Sequence, residues 1–176
     1  MNYLFGLKWN KRSKYLRPVD PMTEDQARKA WETPGEVFSV SAGPDLEPGR
    51  VPAYTVTVGV NENVSVDRYH PDGALAVSYS YHAESTIRDG SRLFLFQVST
   101  WGEDRSYASY EYRPDGWGRT MVREGEDDVV YEFSGVDVSG QWIDPGLSWG
   151  DWDRVGLHEP TYRPLDPAQG TEGARN

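Results

Sequence analysis

Apolar and polar residues alternate with a period of two along most of the chain, and this pattern predicts β-strands. The alternation is clearest at residues 54–60, where tyrosine and valine alternate with threonine and glycine, and at residues 75–82, where large apolar residues alternate with alanine and serine. Shorter stretches of the same kind occur at 3–9, 37–40, 64–70, 107–113, 117–123 and 129–133. Residues 92–101 are apolar on both faces, which is typical of a central strand that is covered on both sides.

One segment near the N-terminus has helical spacing instead. Thr23 stands in the N-cap position and Gln26 follows three residues later, which is the arrangement of a capping box. Three apolar residues then fall on one face of the predicted helix: Ala27, Ala30 and Trp31. Because Pro34 disfavours helix at the residue before it, we predict a helix over residues 23–32.

Two of the predicted turns have similar sequences. Residues 68–73 (RYHPDG) and 111–116 (EYRPDG) both place a tyrosine two residues before Pro-Asp-Gly. Two copies are too few to form a repeat solenoid. We therefore predict two hairpins of the same type, in which proline sets φ and glycine accepts a positive φ.

The short, sequential connections favour an up-and-down order of strands. We predict a mainly β fold, an antiparallel meander of about eight strands that forms a barrel or half-barrel, with one short helix near the N-terminus. A two-layer sandwich is the alternative. Residues 1–166 are interpreted as a single antiparallel β domain with an N-terminal arm, and residues 167–176 as a flexible tail.

The composition narrows the class of protein. The chain has 176 residues, 13% of them aromatic, and no cysteine. A cysteine-free chain cannot form a disulfide scaffold or a thiolate metal site, and the aromatic content is too high for a disordered protein. No apolar run approaches the length of a membrane span, and the basic residues follow the first apolar stretch instead of preceding it as in a signal peptide. We therefore expect a cytoplasmic protein without membrane contact.

The negative charge is unevenly distributed. Eighteen basic and 28 acidic residues give a net charge of −10, but residues 1–17 contain five basic residues and no acidic one. The remainder therefore carries −15. Residues 124–153 contain nine acidic residues, three tryptophans and no lysine or arginine. Because non-specific nucleic-acid binding requires cationic side chains, we expect no nucleic-acid partner.

Motifs for catalysis and for metal binding are absent from the sequence. The three histidines lack the spacing of metal ligands, and no nucleophile motif, phosphate loop or dinucleotide motif is found. Asp151, Asp153 and Glu159 offer oxygen ligands without the spacing of a calcium loop. The sequence therefore predicts no cofactor and no metal, and it favours binding over catalysis.

A first hypothesis for function is an acidic protein-binding module, of the kind represented by immunity proteins that inhibit a basic toxin or enzyme. Aromatic anchors with a charged rim are typical of an interface that associates rapidly with a cationic partner. The candidate partner-binding residues are Glu126, Asp127, Asp128, Asp144, Trp149, Asp151, Trp152 and Asp153.

A second hypothesis is a lipocalin-like barrel that binds or transforms an apolar small molecule. Its candidate cavity residues are Ser78, Ser80, His82, Tyr110 and Tyr112. Tyrosine suits such a cavity because its ring packs against the ligand while its hydroxyl orients it. A pocket of several hundred cubic ångströms inside the sheet would favour this hypothesis. A scaffold domain without a deep site is compatible with the same sequence.

Overall fold

The computed structural model describes residues 1–9, 17–102, 106–124, 127–162, 164–166 and 171–172. Within these ranges the strands are β1 (Asn2–Trp9), β2 (Pro18–Met22), β3 (Phe38–Gly43), β4 (Tyr54–Val58), β5 (Asn63–Tyr69), β6 (Leu75–Ala83), β7 (Leu93–Trp101), β8 (Tyr107–Tyr112), β9 (Gly118–Glu124), β10 (Asp127–Phe133), β11 (Trp142–Ile143) and β12 (Thr171–Glu172). The α-helices are α1 (Glu24–Glu32) and α2 (Trp152–Gly156).

The strands form one antiparallel sheet in the order β12-β10-β9-β8-β7-β6-β5-β4-β3-β1-β2, with β11 paired to β7. The sheet does not close. The prediction of a mainly β antiparallel meander is confirmed, and the open sheet fits the half-barrel or sandwich description and not a closed barrel. The strand count exceeds the predicted number because β2, β11 and β12 lie outside the segments whose alternation predicted strands. The prolines of β2 suit an edge strand, which lacks a pairing partner on one side.

Local sequence signals account for α1. The Thr23 side chain accepts a hydrogen bond from the Gln26 N–H (3.2 Å), and the Gln26 side chain accepts one from the Thr23 N–H (2.8 Å). The buried face consists of the three residues that the spacing indicates: Ala27, Ala30 and Trp31. The predicted helix is therefore confirmed, both in the residue at which it begins and in the residues that form its apolar face.

The core lies on one face of the sheet. Cross-strand register places Val56, Val66, Tyr79, Val98 and Tyr110 in one row on this face. Residues of α1, α2 and the C-terminal loops complete the core cluster. Side chains therefore pack against the core face of the sheet. Of the predicted tail, the structure describes only β12, which pairs with β10.

The two Pro-Asp-Gly turns have the same geometry. In each, the glycine N–H donates to the carbonyl of the residue before proline (2.8 and 3.0 Å). The aspartate accepts a hydrogen bond from the backbone N–H two residues later (2.9 and 3.0 Å), and the glycine has φ of 85° and 83°. The prediction of two hairpins of one type is confirmed.

Eight tyrosines of the described structure have a pKa above the ordinary value near 10, and burial is the largest cause for each: Tyr3, Tyr54, Tyr69, Tyr79, Tyr81, Tyr110, Tyr112 and Tyr162. These phenols stay protonated in the native state while those of the unfolded chain ionise. Their contribution to stability is therefore complete below pH 10 and is lost as the pH rises above it.

We predict that Tyr81→Phe makes the protein less sensitive to alkaline pH. Tyr81 is fully buried and its hydroxyl has no hydrogen-bond partner among the described residues, so the substitution removes no such bond. Between pH 10 and 12 the free energy of unfolding should fall less steeply, by up to about 1.4 kcal/mol per pH unit. Urea unfolding at several pH values measures this slope. The half-exposed Tyr131→Phe is the control, and equal slopes for both variants would contradict the prediction.

Candidate functional site

Strand β7 has a gap in its pairing, and an aromatic surface lies at this gap. Strand β8 pairs with β7 from Gln97 to Trp101, and β11 pairs with it at Leu93 and Phe94. Phe96 lies between these two stretches. On the other side of β7, the register with β6 shifts at this level, so that Phe96 is the extra residue of a bulge. The aromatic side chain is thereby displayed next to the gap.

A cleft of about 630 Å³ lies at this gap. Six of its lining residues carry aromatic or imidazole rings: His82, Phe94, Phe96, Tyr112, Trp117 and Trp142. Three others carry charge: Glu84, Glu111 and Arg113. The cleft is therefore mainly apolar, with a small number of charged groups.

Ring contacts hold one wall of the cleft together. The His82 ring is stacked on Phe96 with centroids 3.8 Å apart and planes within 13°. Phe94 is only 4% exposed and packs against Trp142, with centroids 4.9 Å apart. Arg92 lies over the Trp142 ring, 4.7 Å from its centroid. These contacts restrict the rotamers of the wall and preorganise it.

The two carboxylates of the cleft are held by arginines. Arg92 donates to both oxygens of Glu84 (2.6 and 3.0 Å), which lowers the pKa of Glu84, and Arg119 Nη2 contacts both oxygens of Glu111 at 2.6 Å. Each carboxylate is therefore paired with a guanidinium by charge-assisted hydrogen bonds. Arg113 differs, because it lies 4.2 Å from the centroid of the Trp117 ring and forms no ion pair with the described residues.

Partial burial lowers the pKa of His82 below its ordinary value and so favours the neutral imidazole. Its Nδ1 lies 2.5 Å from the amide oxygen of Asn63. In the tautomer in which Nδ1 carries the proton, this contact is a hydrogen bond donated to the amide oxygen, and Nε2 is an acceptor. The cleft therefore contains one neutral polar group besides its charged rim.

Comparisons with protein-family models, with curated proteins and with solved structures each give no match. Function is therefore inferred from the geometry of the cleft. No helix among the described residues is long and apolar enough to cross a membrane. Within the same part of the chain, no three histidine or acidic side chains are grouped as metal ligands would be.

The structure brings together only some of the predicted cavity residues. His82 and Tyr112 line the cleft. Ser78 and Ser80 lie on β6 outside it, in the register rows of Ser99 and Gln97. Tyr110 lies on the core face, where its ring centroid is 6.3 Å from that of Tyr162. Side chains of α1, α2 and the C-terminal loops pack against the core face of the sheet, where the second hypothesis expects a cavity.

The other rings of the cleft were not among the predicted site residues. Phe94 and Phe96 belong to residues 92–101, which are apolar on both faces. This double-sided pattern was the one signal in the sequence that could have indicated the cleft. When both faces of a strand carry apolar residues, both faces must be covered by other side chains. Trp142 packs against Phe94 in this way, whereas Phe96 lies beside the gap.

The predicted partner-binding residues are separated in the fold. Glu126 lies outside the described residues, and for Asp127 only the backbone position in β10 is described. Asp128 pairs with Arg123 (3.0 Å), and Asp144 is exposed in the loop after β11. The other four candidates lie at or near α2, which contacts β4. Five strands separate β4 from β10, or roughly 30 Å along the sheet at about 4.8 Å per strand.

The candidates near α2 are engaged within the protein. Trp152 is 2% exposed, and Trp149 is half-buried with its ring centroid 5.2 Å from that of Trp152. Asp151 forms an ion pair with Arg154. Asp153 Oδ1 accepts hydrogen bonds from two tyrosine hydroxyls, Tyr3 (3.0 Å) and Tyr54 (2.5 Å). The expectation of an exposed tryptophan at position 152 is corrected, because that ring is part of the core.

Proposed function

We propose that the protein is a binding module and that the cleft beside β7 holds a flat, largely apolar small molecule. The observation that carries this proposal is the set of six rings around one space of about 630 Å³. Sites for small molecules have volumes of this order and are lined mainly by apolar and aromatic side chains, with a few polar groups that orient the ligand.

The construction of the cleft supports this function. Its rings are mounted on strands and on the hairpin turn between β8 and β9, and its carboxylates are held by arginines in ion pairs. Side chains that are already ordered lose little conformational entropy when a ligand binds. Planar rings favour planar ligands, because offset stacking and edge-to-face contacts maximise the contact area.

This proposal moves the ligand site of the second hypothesis from the barrel interior to the cleft at β7. The acidic protein-binding module stays a prediction that rests on the charge of −15 outside residues 1–17 and on the acidic segment 124–153 with its three tryptophans. Its described candidate residues offer less support than the cleft, because the ion pair at Asp128 and the contacts at Trp149, Asp151, Trp152 and Asp153 already satisfy those side chains within the protein.

We predict that Phe96→Ala weakens ligand binding about tenfold, since an aromatic contact contributes about 0.5–1.5 kcal/mol beyond the burial of its area. The probe is 2-naphthamide, a neutral planar compound. Fluorescence of Trp117 and Trp142, with ligand-observed NMR as a second readout, measures its dissociation constant.

The matched control is Phe133→Ala. Phe133 is half-buried, like Phe96, but it lines a different cleft of the same sheet. Affinity for 2-naphthamide should stay within about twofold of the unmodified protein. An equal loss in the two variants, or no binding of planar compounds to the unmodified protein, would contradict the proposed function.

A further inference from the structure

Arg113 differs from the other guanidinium groups at the cleft. Arg92 is committed to Glu84 and Arg119 to Glu111. Arg113 stacks over Trp117 instead and has no carboxylate partner among the residues that the structure describes. Stacking on an indole fixes the plane of the guanidinium while its N–H groups stay available as donors.

The two carboxylates that line the cleft are each held in an ion pair, Glu84 by Arg92 and Glu111 by Arg119. Arg113 is the charged lining residue that has no carboxylate partner among the described residues.

Arg113 is exposed, whereas Phe94 and Tyr112 on the cleft walls are buried. A ligand that places its rings against the walls therefore has the end that meets Arg113 in contact with water. An ionised group in that position keeps part of its hydration and gains a charge-assisted hydrogen bond.

We propose that the ligand is a planar aromatic carboxylate whose carboxylate is bound by Arg113. A carboxylate in the plane of an aromatic ring presents two oxygens that match the fork of one guanidinium. This inference rests on the proposed function of the cleft and adds the charge of the ligand to it.

Three probes of one shape test the proposal: 2-naphthoate, neutral 2-naphthamide and cationic 2-naphthylmethylammonium. Titration calorimetry on the full chain measures the three affinities. We expect 2-naphthoate to bind about fivefold more tightly than 2-naphthamide, because an ion pair at an exposed position has a modest effect. The ammonium compound should bind most weakly.

The variant Arg113→Gln should abolish the preference for 2-naphthoate and leave the affinity for 2-naphthamide unchanged. Arg50→Gln is the matched control, since Arg50 is an exposed arginine on a distant loop and its removal changes the net charge by the same amount. Retention of the preference in Arg50→Gln shows that the effect is local. Thermal unfolding of both variants checks that they fold.

The possible outcomes separate the two proposals. Equal affinity for 2-naphthoate and 2-naphthamide, a preference for the ammonium compound, or a 2-naphthoate preference that survives in Arg113→Gln would each overturn the role of Arg113 and leave the cleft as a binding site. Absence of binding for all three probes would overturn the proposed function itself.

Discussion

Replacing Trp152 by alanine is expected to lower the free energy of unfolding by about 3–5 kcal/mol, the range for removal of a large buried aromatic side chain. Trp152 is 2% exposed and its ring contacts those of Trp31, Phe38 and Trp149, with centroids 5.2–6.0 Å apart. The substitution removes contacts to α1, to β3 and to the loop before α2 at once. Urea unfolding followed by far-ultraviolet circular dichroism measures the loss.

The control for this prediction is Trp101→Ala. Trp101 is half-buried at the end of β7, and within the described part of the chain its ring contacts one other aromatic ring, that of Tyr107 (5.4 Å). Its removal should cost about 1 kcal/mol, the centre of the range for point substitutions. Comparable losses in the two variants would show that Trp152 is not a central part of the core.

A second large effect is expected at Gly156, the last residue of α2. A Cβ atom at this position would lie 2.5 Å from Cζ of Tyr54 and closer still to two other ring carbons. The Tyr54 ring cannot easily move, because its hydroxyl is bound to Asp153 and the residue is fully buried. Gly156→Ala should therefore lower the free energy of unfolding by about 3 kcal/mol, at the upper end of the range for overpacking.

The sign of the change in the free energy of unfolding distinguishes the steric clash with Tyr54 from the effect of helix propensity. Helix propensity alone would make alanine about 1 kcal/mol more favourable than glycine. Gly59→Ala is the matched control, since a Cβ there meets only the Asn63 carbonyl at 3.5 Å. The Gly156→Ala cost should also shrink when Tyr54 is replaced by leucine, as a double-mutant cycle would show. Stabilisation by Gly156→Ala would contradict the close contact.

Features that depend on neighbouring residues could be predicted from the sequence. The capping box of Thr23 and Gln26 determines where α1 begins, and the proline and glycine of each Pro-Asp-Gly turn determine its backbone angles. The strands could also be predicted, because alternation with a period of two is visible within a few consecutive residues. Each signal lies within a few residues of its effect.

The cleft could not be predicted in this way, because it depends on which residues of β7 remain between β8 and β11. The sequence shows that 92–101 is apolar on both faces, but it does not show that β11 pairs with only two residues of β7. Tyr112 and Trp142 are 30 positions apart and meet at one cleft only through the order of the strands.

Composition was a weak guide to the segment 124–153. Its acidic residues and tryptophans are close in sequence, which suggested one surface. In the fold, the chain between β10 and α2 crosses from one part of the sheet to another, and the burial of Trp152 is decided by α1 and β3. Burial depends on tertiary contacts that a local count of charges does not contain.

The placement of the tryptophans has a spectroscopic consequence. The indoles of Trp31, Trp149 and Trp152 lie with centroids 5.2–6.3 Å apart, close enough for their electronic transitions to couple. Trp117 and Trp142 stand apart from this group and face the cleft. The near-ultraviolet circular dichroism spectrum should therefore be dominated by Trp31, Trp149 and Trp152. Quenching of tryptophan fluorescence by a compound bound in the cleft should act mainly on Trp117 and Trp142. The protein thus carries separate optical reporters of folding and of occupancy, without any attached dye.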